Sequence, residues 1–149
     1  MIGYENILLA TDFSDHSEAA GKRAVDLAQR FESKLTLFHV VEFYVPEIVP
    51  PRWMDAIQNE GLDVYLTREG QKSLEEFAVR INADTVKKEV VASTRNATHG
   101  IVNFAKQQKV NLIVLGSHGR HGIDLLLGST ANGVMHRAPC DVLAVRIDS

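Results

Sequence analysis

Two uninterrupted apolar runs, Ile7-Leu8-Leu9-Ala10 and Leu112-Ile113-Val114-Leu115, constrain this chain more than any other feature. A strand with water on one face alternates apolar and polar residues. A run that is apolar at every position reads as a strand buried on both faces, with helices above and below it. The segments between such runs carry apolar residues at three- and four-residue steps. After Ala10, Ser14 or Asp15 can accept the free N–H groups of a first helical turn. Ala19, Ala20, Ala24, Leu27, Ala28 and Phe31 then form one stripe, the pattern of a helix lying on a sheet.

The alternation continues along the chain. Leu35 to Val41 reads as the second strand. Pro46, Pro50 and Pro51 mark a loop, because proline fixes φ and removes an N–H. A helical pattern runs from about Met54 to Ile81, with a break expected near Gly61, since each glycine costs a helix roughly 1 kcal/mol against alanine. Val86 to Val91 is a third, more polar strand. Ile101, Val102, Phe104 and Ala105 mark another helix, and Leu112 to Leu115 is the fourth strand, ending at Gly116. A last helix spans about Ser129 to Arg137, and Asp141 to Ile147 is the fifth strand. Strands alternating with helices predict an α/β fold: a single five-stranded parallel sheet, helices on both faces, Rossmann-like, in one domain over residues 1–149.

Composition narrows the function classes. Hydrophobic residues make up 45% and charged residues 23%, an ordinary globular balance. The net charge is −3, and no basic run supplies a nucleic-acid footprint. One cysteine, Cys140, cannot form an internal disulfide, which predicts a reducing compartment. The first residues lack a basic segment before the apolar run, unlike a signal peptide, and no stretch has the length to cross a bilayer. The expected location is the cytoplasm.

Ligands of open parallel sheets bind beyond the carboxyl ends of the strands, where strand order reverses. Ala10-Thr11-Asp12, Val40-Val41-Glu42 and the loop after the fourth strand lie at such ends. That loop runs from Gly116-Ser117-His118-Gly119 to Gly128-Ser129-Thr130. Its glycines admit close approach of backbone N–H groups to an anion. Gly128-Ser129-Thr130 precedes a helix, whose N-terminus favours phosphate, and Arg120 adds charge. The residues alone equally allow a plain turn with Ser129 as a cap. There is no G-x-x-x-x-G-K-[ST] phosphate loop, and no G-x-G-x-x-G follows the first strand.

At this loop the chain resembles the universal stress protein family. Ile7 to Ser14 is similar to that family's first strand and acidic turn, and Leu35 to Val41 to its second strand. Leu112 to Gly119 is similar to its fourth strand and phosphate loop, and Pro139 to Val145 to its last strand. ATP-binding members carry G-x2-G-x9-G-[ST]. Gly116, Gly119 and Gly128-Ser129 match, with a spacer of eight residues rather than nine. The resemblance implies an adenine-nucleotide site for ATP with Mg2+. Ala10, Thr11 and Asp12 would lie on the ribose and metal side. The backbone of Val40 would read adenine, and Leu115 would pack near the base or ribose. Gly116, Gly119, Gly128, Ser129 and Thr130 would hold the phosphates. It implies a stress-response or signalling module with little or no hydrolysis. The alternative is a dimeric interaction protein of the same fold that binds no nucleotide.

The resemblance also implies a homodimer joined through the last strand. The alternation of Leu143, Val145 and Ile147 agrees with an edge that needs a partner. His118 and His121 are too few for a zinc site and are expected to face solvent near the phosphates. His39 reads as a strand histidine, and His16, His99 and His136 as surface residues. Cys140 has no paired base nearby in sequence and reads as structural. No carboxylate of the loop is placed as a base, since Asp124 lies in the variable spacer, so catalytic residues are not expected.

Overall fold

The structure is a computed structural model and describes residues 3–44, 47–118 and 127–147. Its elements run β1 (Asn6–Ala10), α1 (Asp15–Phe31), β2 (Lys34–Glu42), α2 (Pro51–Asn59), α3 (Leu62–Arg80), β3 (Lys87–Ser93), α4 (Ala97–Gln107), β4 (Leu112–Gly116), α5 (Ser129–Arg137) and β5 (Asp141–Val145). The strands form one sheet in the order β3-β2-β1-β4-β5, and each pairing is parallel. The chain moves outward from β1 to β3 and then returns to β4. Strand order therefore reverses between β1 and β4, opening a crevice at their carboxyl ends.

Strand alternation divides the core in two. Ile7 and Leu9 of β1, Leu37 of β2 and Val114 of β4 face α1 and α3, where they meet Ala20, Ala24, Leu74, Phe77 and Ala78. Leu8, Phe38, Ile113 and Leu115 face the other way and meet Ile101 and Ala105 of α4 and Ala131 and Val134 of α5. Helices thus cover both faces, as the unbroken apolar runs of β1 and β4 require. Phe38 is fully buried and stacks on Phe104 with ring centroids 4.4 Å apart.

The observed elements meet the sequence expectations with some shifted bounds. The helical stretch after β2 begins earlier than Met54, at Pro51. Proline suits a first helical position because the N–H it lacks has no partner there anyway. The expected break falls at Gly61, whose φ is 89°, and separates α2 from α3. The last strand ends at Val145 rather than Ile147. Phe31 belongs to the predicted stripe yet is 39% exposed; its ring packs edge-on against Tyr4 at the margin of the sheet.

Candidate functional site

A cavity of about 510 Å3 opens at the reversal point. The end of β1 supplies Ala10, Thr11 and Asp12 to its wall. A tight turn built on Asp12 positions this corner. The Asp12 carboxylate accepts the Ser14 N–H at 3.0 Å and the Ser17 hydroxyl at 2.6 Å. Phe13 between them takes a φ of 67°, and its ring lies 4.2 Å from that of His39. His39 Nδ1 in turn lies 2.7 Å from the Thr11 carbonyl oxygen. Ser14 caps α1 by accepting the Ser17 N–H. Asp12 therefore has a turn role and still reaches the cavity.

The end of β2 supplies Val40. Its side chain is buried under α4, and its backbone borders the cavity. The Phe38 carbonyl accepts the Thr11 N–H, so it points toward β1. Backbone direction alternates along a strand, so the N–H and C=O of Val40 point to the same side. β1 pairs with β2 only as far as Ala10 opposite Phe38. Val40 thus presents one donor and one acceptor past the end of β1, spaced as two adjacent backbone groups.

The end of β4 supplies Leu115, Gly116, Ser117 and His118. A Cβ on Gly116 would lie 2.8 Å from the backbone carbon of His16, so only glycine lets α1 sit this close to β4. Ser117 is anchored twice: its N–H donates to the Val145 carbonyl at 2.8 Å, and its carbonyl accepts the Gly128 N–H at 2.7 Å. That second bond brings the start of α5 back to β4. Gly128, Ser129 and Thr130 consequently line the same cavity. α1 and α4 carry side-chain caps, Ser14 and Asn96. The cap position of α5 is Gly128, and among the described residues no side chain caps it. Free N–H groups and the positive end of the helix dipole therefore lie at the cavity wall.

Ala10, Thr11, Asp12, Val40, Leu115, Gly116, Gly128, Ser129 and Thr130 are brought together in this one cavity. Gly119, Arg120, His121 and Asp124 lie outside the described residues. Two histidine expectations are corrected. His118 does not face solvent: it is 7% exposed, with Nδ1 3.0 Å from Ser117 Oγ. His16 is not a plain surface residue either, because its ring packs on that of His118, centroids 5.2 Å apart. Both follow from the close approach of α1 to β4 at Gly116. His99 and His136 are exposed as expected. Sequence reasoning put Glu42 at a ligand-binding strand end without giving it a role, and missed Ala97 and Ile101 as lining residues. The signal for Glu42 was its parity with Val40 on β2, which places both side chains on one face.

The sequence and the fold have relatives among known proteins. A sequence profile of the Universal stress protein family matches residues 3–146. The chain belongs to that family. Universal stress protein A homolog 2 of Coxiella burnetii is 37% identical over 150 residues, covering 99% of this chain and 98% of that protein. Among solved structures, the universal stress protein UspA from Lactobacillus plantarum superposes with a TM-score of 0.71 at 28% identity, covering 98% of this chain and all of that one. A universal stress protein in complex with cAMP superposes with a TM-score of 0.59 at 26% identity, over 97% of this chain and 98% of that one. Among the described residues, no helix is long and apolar enough to cross a membrane, and no group of three or more histidine, cysteine or acidic side chains is placed to hold a metal.

Proposed function

We propose that this universal stress protein binds an adenine nucleotide, with ATP as the expected ligand, in the cavity between β1 and β4, as a stress-response module with little or no hydrolysis. The observation that carries the reading is the meeting of two recognition elements in one cavity. At one end, the uncapped first turn of α5 offers N–H groups, the Ser129 and Thr130 hydroxyls and a dipole suited to phosphate. At the other, the Val40 edge offers a donor and an acceptor beside the apolar walls of Ala10, Ile101 and Leu115. A purine presents the complementary pair, with apolar faces to fill the space between. The cavity has the size common for small-molecule sites, about 300–1,000 Å3. The cAMP complex of a relative supports an adenine ring at such a site.

The donor set also fits Mg2+ held together with a nucleotide. Magnesium usually takes one or two carboxylates and completes its shell with phosphates and water. Asp12 would be the carboxylate, on the ribose side of the phosphates. The ion would neutralise phosphate charge. Turnover needs a base that aligns water with the terminal phosphate, and among the described residues the cavity wall offers Asp12 and Glu42 as carboxylates. Asp12 Oδ1 is engaged by Ser14 and Ser17, and Glu42 lies beside Val40 at the base end. We therefore expect turnover slower than roughly one per minute, far below typical enzymes.

The test is mass spectrometry of the native protein, followed by denaturation and identification of released small molecules. An adenine nucleotide in stoichiometric amount supports the proposal. A protein that is empty as isolated and shows no thermal shift with adenine nucleotides supports an interaction module of the same fold. We further propose a homodimer paired through β5, an edge strand of the sheet.

A further inference from the structure

We infer that Glu42 reinforces the base preference of this cavity beyond the Val40 edge, favouring a purine with an exocyclic 6-amino group over one with a 6-oxo group. The inference rests on the nucleotide reading above. Glu42 lies two residues beyond Val40 on β2, so both side chains fall on the face covered by α4. Its Oε1 accepts the N–H of Ala97, the first residue of α4, at 2.7 Å. Glu42 and Ala97 both line the cavity. The carboxylate is therefore fixed at the rim beside the Val40 edge rather than free to swing through solvent.

Two side chains serve the first turn of α4: Asn96 accepts the His99 N–H at 2.9 Å, and Glu42 accepts the Ala97 N–H, one of the donors a helix leaves free at its start. The second contact also places charge at the cavity rim. An ionised carboxylate only accepts hydrogen bonds, and it occupies the Ala97 N–H. The base end then offers the Val40 N–H as donor, with the Val40 carbonyl and the Glu42 carboxylate as acceptors. A 6-aminopurine matches that set: N1 accepts and the amine carries two donors. A 6-oxopurine presents N1–H and a carbonyl oxygen, which mismatch the Val40 N–H and C=O and set a further acceptor against the Glu42 carboxylate. Preference built on such a mismatch is stronger than preference built on shape, because the wrong ligand leaves polar groups unpaired.

The experiment titrates the full-length protein with Mg-ATP and Mg-ITP, which differ only at this position and its ring proton. The wild type is expected to bind ATP at least about tenfold tighter than ITP, the ratio that corresponds to about 1.4 kcal/mol. Glu42→Gln keeps an oxygen for the Ala97 N–H and adds an amide donor for a 6-oxo group. It is expected to narrow the ratio by at least about threefold, chiefly by improving ITP, while the Val40 edge keeps ATP the tighter ligand. Glu42→Asp keeps the charge and should keep the sign of the preference. Equal affinities in the wild type, or an unchanged ratio in the folded Gln variant, overturn the inference while leaving the nucleotide reading intact. Binding of neither triphosphate by the folded wild type overturns the nucleotide reading, and this inference with it.

Discussion

Gly100 of α4 sits directly over Val40 of β2: a Cβ at position 100 would lie 2.8 Å from Val40 Cγ2. The valine is buried and β-branched, so it cannot swing aside. Gly100→Ala must lift α4 or push β2. Overpacking of this kind costs about 1–3 kcal/mol, offset in part by alanine's helix preference of roughly 1 kcal/mol. The expected net loss is about 1 kcal/mol in chemical denaturation, within those two ranges. With the Val40 backbone as the proposed base edge, adenine-nucleotide affinity should fall about tenfold, the effect of one or two weakened neutral hydrogen bonds. Inorganic triphosphate, which lacks a base, should bind unchanged.

Gly116 makes a second close approach, here against backbone. A Cβ there would lie 2.8 Å from both the carbonyl carbon and the Cβ of His16 and 3.0 Å from its carbonyl oxygen. Backbone yields less readily than a side-chain tip. Gly116→Ala should therefore cost at least about 2 kcal/mol, toward the upper part of the overpacking range. It should also separate the His16 and His118 rings, visible as shifts of both imidazole resonances by NMR.

The proposed dimer can be separated from the fold by one proline. The Val145 carbonyl accepts the Ser117 N–H of the segment after β4, so the backbone of Val145 and Leu143 points inward. Alternation turns the N–H of Ala144 outward, away from β4. Ala144→Pro removes an outward donor without removing a bond of the β4–β5 ladder, a place where strands tolerate proline. Light scattering at tens of micromolar, an order of magnitude for a stable interface, should find a wild-type dimer and a folded monomeric variant. A wild-type monomer contradicts β5 pairing.

Chemistry at the start of β5 should show in alkaline titration. Tyr4 donates its hydroxyl to Asp141 at 2.9 Å. That hydrogen bond, with partial burial and nearby negative charge, raises the Tyr4 phenol above its ordinary value of 10.0. The Cys140 thiol is raised above 9.0 chiefly by burial and then by the Asp141 charge. In both, the protonated form is favoured by folding. Their contribution to stability is present below the unfolded pKa and is lost as pH rises through the folded pKa. Stability should thus decline above about pH 9–10, the ordinary range of these groups, and Tyr4→Phe should flatten that decline. Cys140 should react slowly with thiol reagents near pH 7–8, because the thiolate is the reactive species. Rapid labelling of the folded protein would contradict its burial.

The fold was legible because Ile7 to Ala10 of β1 and Leu112 to Leu115 of β4 are apolar at every residue, a pattern that a strand open to water would not show. The start of α5 was legible because Gly128-Ser129-Thr130 announces a helix N-terminus. Pro51 was harder: the same residue marks a loop or the first turn of a helix, and only the chain after it decides. His118 was misjudged because a histidine among glycines looks exposed, while its burial depends on α1 packing across Gly116, a long-range contact. Glu42 was read as a strand end, and its cavity role appears only once α4 is laid over β2.

The most direct measurement of the central claim is calorimetric titration of the folded protein with Mg-ATP, paired with thermal unfolding at the same concentrations. The account predicts saturable binding near one nucleotide per chain, with a dissociation constant of about 1 μM to 1 mM, and a matching rise in unfolding temperature. No heat and no thermal shift at millimolar nucleotide would contradict it.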